Sequence, residues 1–258
     1  MIKLKYLNLM RKILFFIFIA FLWLPATVCA EITGAIFDMD GTLIDSMKMW
    51  SYVGNTYLNN LGIKITTDLD KDMYSVGIKD AVKYLKTNYN LPQTDEKIFF
   101  DIEQIIEHYY EEVVCLKPGV KEFILDMKND NIPIVIVTSS MKKLAVLVLS
   151  RFFILEDFID ILSCHDFKTD KSKPDIYIEA VKIIQGLPEN TLVFEDSICA
   201  AKTAYNAGFV VIGVYDDSNM KNQEELKLTS NFYLLCYPQY STFKKNIIER
   251  NNNKSRII

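Results

Sequence analysis

The chain has 258 residues, with 29 Lys and Arg against 33 Asp and Glu, and half of it is apolar. That length can bury a large core, in one ordinary domain or in a domain with a smaller appendage. The apolar share and the 12% aromatics exclude a disordered chain, nine Gly and seven Pro exclude a fibrous one, and a net charge of −4 gives no electrostatic reason to expect nucleic-acid binding.

Residues 1–30 stand apart from the rest. Lys3, Lys5, Arg11 and Lys12 are unopposed by acids, the run Ile13 to Leu24 is uncharged and apolar, and Pro25 and the small-residue segment Val28-Cys29-Ala30 follow. This is the three-part layout of a secretory signal peptide, so export from the cytoplasm is expected; an uncleaved membrane anchor and a start upstream of a cytoplasmic protein are the alternatives. Without that leader the chain has 25 basic against 33 acidic residues, a net −8. A body so anionic needs a local cation, a metal or a Lys, to handle an anion. Apolar residues lie close before each of the cysteines Cys29, Cys115, Cys164, Cys199 and Cys236, which reads as small core residues rather than a disulfide framework.

Four short apolar runs follow in chain order: Thr33 to Phe37, Ile132 to Val137, Thr191 to Phe194 and Phe209 to Val214. They are rich in β-branched residues and do not alternate, as strands buried on both faces of a parallel sheet do. Helical spacing separates them, in Val120, Phe123, Ile124 and Met127, in Leu144, Leu147, Val148 and Phe152, in Ile176, Ala180, Val181 and Ile184, and in Ala200, Ala201 and Ala204 before Gly208. The predicted class is α/β, a doubly wound parallel sheet, whose ligands sit outside the carboxyl ends of the strands.

Ser46 to Val114 breaks the alternation with three helical patterns and no strand. The first holds Met47, Trp50, Val53, Tyr57 and Leu61. The second holds Ile78, Val82, Leu85 and Tyr89, and the third Ile98, Ile102, Ile105, Tyr109 and Val113. An inserted all-helical cap over 45–116 is expected, with the sheet domain formed by 31–44 and 117–250 and a frayed tail at 251–258.

The segment Asp38-Met39-Asp40-Gly41 closes the first run. On a strand period its two carboxylates point the same way, and Gly41 permits a turn that a Cβ would hinder. Glu195-Asp196 closes the third run. If those strands are neighbours the carboxylates converge, and two like charges about 4 Å apart repel by about 4 kcal/mol at an effective dielectric of about 20. A hard divalent cation resolves this; protonation of one carboxyl, or pairing with Lys171 or Lys173, would also do so. Thr138-Ser139 closes the second run and offers hydroxyls and N–H groups to phosphate oxygens, or a helix N-cap.

Four motifs in order, FDMDGTL (Phe37 to Leu43), Thr138 after IPIVIV, the KSKPD stretch and FEDS (Phe194 to Ser197), resemble the haloacid dehalogenase superfamily, in particular its phosphatases and phosphomutases with a helical cap. The resemblance covers residues 33 to about 235. It implies Asp38 as a nucleophile that becomes an aspartyl-phosphate, and Asp40 as proton donor and then base. It implies Mg²⁺ held by Asp38, Asp40 through its backbone carbonyl, and Asp196, with Glu195 nearby. Thr138, Ser139 and Lys171 would complete the phosphate clamp beside Gly41; the spacing to Pro174-Asp175 favours Lys171 over Lys173.

The resemblance further implies a small phosphorylated metabolite as partner; no nucleic acid is expected from the charge. The membrane is reached only through the N-terminal segment if that stays uncleaved, and the sequence does not fix the oligomeric state, with a monomer expected. Beta-phosphoglucomutases carry a His in the first cap helix twelve residues after the nucleophile; that position is Trp50 here, and the loop around Gly77-Ile78-Lys79 lacks the expected Arg. A phosphatase is therefore favoured over a phosphomutase, with a non-catalytic binding protein on the same scaffold as the third reading. Trp50 reads as core packing, Lys79 as a solvated helix position, and His108 and His165 as structural, with no spacing that points to zinc.

Overall fold

The computed structural model describes residues 32–65, Leu69 and residues 78–254, with the side chains of residues 51, 79 and 250–254 left aside. The leader with Cys29, Gly77, the Lys79 side chain and residues 255–258 lie outside that description. Residues Ile32–Asn246 form one compact unit.

Strand β1 is Gly34–Phe37. The helices α1 (Met47–Asn60), α2 (Ile78–Tyr89) and α3 (Asp95–Glu112) come next, then α4 (Val120–Asn129) and β2 (Ile134–Thr138). The chain continues through α5 (Lys142–Arg151), β3 (Asp160–Ser163), the single turn α6 (Cys164–Phe167), α7 (Asp175–Ile184) and β4 (Thr191–Glu195). It closes with α8 (Ile198–Asn206), β5 (Val210–Val214), α9 (Gln223–Thr229), β6 (Phe232–Leu234) and α10 (Tyr240–Lys254).

The six strands are parallel in the order β3-β2-β1-β4-β5-β6. The order reverses at β1, which has β2 on one side and β4 on the other; a doubly wound sheet opens its crevice there. Alternate residues serve opposite faces. Ile36, Val135, Val137, Val193 and Val211 pack with Ile176, Tyr177, Ala180 and Val181 of α7 and Ala201 and Ala204 of α8. On the other face Phe37 stacks on Phe194 at 4.0 Å between ring centroids, and Phe123 of α4 meets Phe194, Tyr237, Tyr240 and Phe243 edge-on. Burying each such side chain stabilises the fold by about 1.5–3 kcal/mol, so the two layers of helix hold the centre of the sheet rigid from both sides.

The sheet has two strands more than the four apolar runs predict. β3 is four residues long and opens on Asp160, and β6 has three residues that are only half-buried. Edge strands are often this short, and three or four residues leave too few positions for a recognisable apolar run.

The three helices after β1 form the helical insert. α1 and α2 both pack on α3, and α3 packs on α5 of the sheet domain. The chain leaves and returns side by side. Ile44 bridges Leu116, the Asp45 N–H donates to the Cys115 carbonyl and the Lys117 N–H to the Leu43 carbonyl, both at 2.9 Å.

The structure corrects the sequence reading in several places. The buried stripe of α3 is Ile98, Ile102, Ile106 and Tyr110, whereas Ile105 and Tyr109 are half-buried and Val113 is exposed. Equal i, i+4 steps turn the face steadily, and an apolar residue one position off falls on its flank. Trp50 is half-buried rather than a core residue. Of the described cysteines only Cys164 is buried; Cys115, Cys199 and Cys236 are exposed, and all four are free. His108 and His165 are both exposed. Residues 251–254 continue α10 rather than fray.

Candidate active site

The site begins where β1 stops. The Asp38 N–H donates to the Phe194 carbonyl at 3.0 Å and so extends the β1–β4 pairing by one step. That bond sets Asp38 beside Glu195, the last residue of β4. The strand has ended at Phe37, and the strand period that would align Asp38 with Asp40 does not apply. A tight turn follows instead, with the Met39 carbonyl accepting from the N–H groups of Thr42, Leu43 and Ile44. Gly41 in that turn has φ +82°, and a Cβ there would stand 2.5 Å from Oδ2 of Asp196. Only glycine meets both conditions.

Asp38, Glu195 and Asp196 are all buried, and each offers a carboxylate oxygen within 4.8 Å of the others. One cation, Lys171, serves two of them. Lys171 Nζ donates to Oδ1 of Asp38 and, at 2.7 Å, to Oε1 of Glu195. Tyr177 Oη donates to the same Glu195 oxygen at 2.8 Å. The other oxygens, Asp38 Oδ2 and Glu195 Oε2, are buried with no hydrogen-bond partner.

The electrostatics follow from three acids and one base out of water. Burial pushes the Asp38 carboxyl up to about 7; Lys171 opposes this and Glu195 adds to it. Asp196 is pushed well above the usual carboxylate range by burial and then by Asp38, Glu195 and Asp216, with Lys117 opposing. Burial alone would lower Lys171, yet the charges of Asp38 and Glu195 outweigh it and leave the ammonium held above its ordinary value. Two unpartnered buried carboxylate oxygens beside a third acid form a hard oxygen donor set, and a small divalent cation fits it.

Asp40 belongs to a different network. Its Oδ1 accepts from Ser46 Oγ at 2.6 Å and from Tyr110 Oη, and its Oδ2 accepts from Ser140 Oγ at 2.7 Å. Its carboxylate is not among the three that converge. The expected convergence of its carboxylate with those of Asp38 and Asp196 is therefore corrected; the expectation for its backbone carbonyl is unaffected.

At the end of β2, Thr138 is fully buried and its Oγ1 accepts from the Ser140 N–H at 3.0 Å. Ser139, at the tip of that turn, is exposed. The N-cap of α5 is Met141, which makes no side-chain cap. The Ser/Thr N-cap reading is thus replaced: the hydroxyl shapes the turn that presents Ser139 and Ser140. Lys173 lies in the exposed stretch Ser172 to Asp175.

Ser46, Tyr110, Ser140 and Tyr177 went unread as polar partners of the site, as did the pair Lys117–Asp216 (2.8 Å), whose charges act on Asp196. Tyr177 follows the KSKPD stretch at once and reads as one more apolar residue of α7. Tyr110 carried no signal, being 70 residues from the Asp40 it touches.

Comparison with known proteins identifies the family. Residues 35–214 match the family model described as haloacid dehalogenase-like hydrolase. The chain is 26% identical over 174 residues to a phosphorylated carbohydrates phosphatase of Thermotoga maritima, covering 67% of this chain and 80% of that protein. It is 27% identical over 187 residues to hexitol phosphatase B of Escherichia coli, covering 70% and 84%. The crystal structure of a beta-phosphoglucomutase from Clostridium difficile superposes with a TM-score of 0.65 at 20% identity, covering 88% of this chain and 100% of that one. The chain belongs to the haloacid dehalogenase-like hydrolase family.

Proposed function

We propose that this enzyme of the haloacid dehalogenase-like hydrolase family is a Mg²⁺-dependent phosphatase that hydrolyses a small phosphate monoester, such as a sugar phosphate, through an aspartyl-phosphate. The observation that carries the reading is the pair Asp38 and Asp40: one carboxylate has an unpartnered oxygen beside Lys171 and two further acids, and the other is held two residues away by three hydroxyls.

Asp38 attacks phosphorus through a carboxylate oxygen. The ester P–O bond breaks, and the leaving alkoxide takes a proton from the Asp40 carboxyl. Asp40, now a carboxylate, removes a proton from water as that water attacks the aspartyl-phosphate, which returns Asp38 and releases inorganic phosphate. Lys171 holds Asp38 and stands as a fixed positive charge beside the phosphoryl oxygens, with Thr138 and Ser139 at the end of β2 completing the clamp. Asp38, Asp196 and the Asp40 carbonyl, with Glu195 close by, would hold Mg²⁺, which supplies charge neutralisation for the phosphoryl group when bound.

The substrate class draws on the two phosphatases of phosphorylated carbohydrates and hexitols that the chain resembles. The cap, taken as 45–116 over a core of 31–44 and 117–250, would choose among such esters. The leader is read as a signal peptide; N-terminal sequencing of protein recovered outside the cytoplasm, beginning near Glu31, tests that.

The test of function is release of phosphate from p-nitrophenyl phosphate with and without Mg²⁺, on wild type and Asp38→Asn. Mg²⁺-dependent release that Asp38→Asn abolishes supports the reading, and normal turnover by Asp38→Asn ends it. The same preparation given beta-glucose 1-phosphate should release phosphate rather than isomerise it; isomerisation would turn the reading to a phosphomutase.

A further inference from the structure

Tyr110 is fully buried and closes the apolar stripe of α3 that begins at Ile98. Its hydroxyl leaves that stripe and donates to Oδ1 of Asp40, the oxygen that Ser46 also serves. Ser140 Oγ donates to the other oxygen of the same carboxylate, Oδ2, at 2.7 Å. A phenol keeps its proton at neutral pH, so the Tyr110 hydroxyl is a donor here.

The backbone of Tyr110 is fixed from the other side. Arg151 of α5 donates through Nη1 to the Tyr110 carbonyl and through Nη2 to the Val114 carbonyl. The last carbonyls of a helix lack partners within it and carry its negative end, which is where a guanidinium fits. Lys143, also on α5, pairs with the buried Glu103 of α3 at 2.8 Å. α3 therefore sits on the sheet domain with its tyrosine hydroxyl locked onto the carboxylate two residues after Asp38.

We propose that Tyr110 is a positioning residue, supplied by the helical insert, that orients the Asp40 carboxyl for proton transfer to the leaving group. The proposal rests on the reading of Asp40 as the proton donor. Seating of α3 and competence of Asp40 become one event: the hydroxyl reaches Asp40 only while the insert is docked.

A series of phosphate esters of rising leaving-group acidity, from glycerol phosphate to 2,4-dinitrophenyl phosphate, tests it. An alkoxide needs the proton and dinitrophenolate does not. Tyr110→Phe removes one oxygen and should lower kcat for the alkyl ester about tenfold, with KM unchanged and the dinitrophenyl ester turned over at close to the wild-type rate. Asp40→Asn should show the same selectivity in a larger form. Arg151→Lys, which loosens the hold on the Tyr110 carbonyl, should show a smaller loss of the same kind and serves if Tyr110→Phe does not fold.

An equal loss across the series in both the tyrosine and arginine variants, or no loss, with Asp40→Asn still selective, would overturn the inference and leave the reading of Asp40 intact. An Asp40→Asn enzyme without leaving-group selectivity would overturn both.

Discussion

The Tyr177 hydroxyl donates at 2.8 Å to Oε1 of Glu195, the oxygen that Lys171 also occupies. Both donors crowd one side of that carboxylate, so its other oxygen, Oε2, is left facing no partner. Tyr177→Phe frees Glu195 to turn. We expect Mg²⁺ affinity, measured by calorimetric titration, to fall several-fold, and stability to drop by about 1–1.5 kcal/mol in thermal or urea unfolding. An unchanged Mg²⁺ affinity would show that the phenol does not set the orientation of Glu195.

Lys171 and Lys173 stand two residues apart in one loop but in opposite settings, the first buried between two acids and the second exposed. Lys171→Met leaves two buried carboxylates, Asp38 and Glu195, without their cation and should cost about 3–5 kcal/mol in stability, together with the phosphatase activity. Lys173→Met should leave both unchanged. The pair separates a specific role for one lysine from a general effect of loop charge, by urea unfolding and phosphate release side by side.

Gly41→Ala places a Cβ 2.5 Å from Asp196 Oδ2 at φ +82°. The backbone conformation alone should cost about 1–2 kcal/mol. The displaced Asp196 should weaken Mg²⁺ binding as well, which separates this site from an ordinary turn glycine, where only the melting temperature would move.

The raised carboxyls make stability depend on pH in a definite direction. Burial lifts Asp38 from 3.8 to about 7, and Asp196 also rises. A carboxyl lifted by the fold favours the protonated form, so its contribution is full below its unfolded value of about 4 and is lost as pH rises through about 7. In metal-free protein Asp38 should lower the melting temperature between about pH 5 and about pH 8, and Asp196 acts in the same direction. Mg²⁺ competes with those protons, so the rise in melting temperature on adding it should grow over the same interval. Scanning calorimetry with Mg²⁺ and with a chelator checks both slopes.

The centre of the fold was legible because its strands are buried on both faces, which the runs ending at Phe37, Val137 and Phe194 advertise. The acids and the lysine that gather at the site were legible for a related reason: they stand at the carboxyl ends of those strands, or in a marked loop before a helix. The edge strands were less so: Asp160–Ser163 is buried but only four residues long, opening on Asp160, and Phe232–Leu234 has three half-buried residues.

The hydroxyl partners were not legible either. Ser46, Tyr110 and Ser140 reach Asp40 across 6, 70 and 100 residues, and no local pattern records such distances. The third helix of the insert shows the consequence. Its apolar spacing fits a stripe through Ile105 and Tyr109 as well as one through Ile106 and Tyr110, and that single step hides the tyrosine that touches the site.

The most direct test of the account is to mix enzyme, Mg²⁺ and a phosphate ester, quench in acid within the first turnover, and map the phosphoryl group by peptide mass spectrometry. The account predicts an acid-stable, base-labile phosphoryl group on Asp38. Full turnover with the phosphoryl group on another residue, or on none, would contradict it.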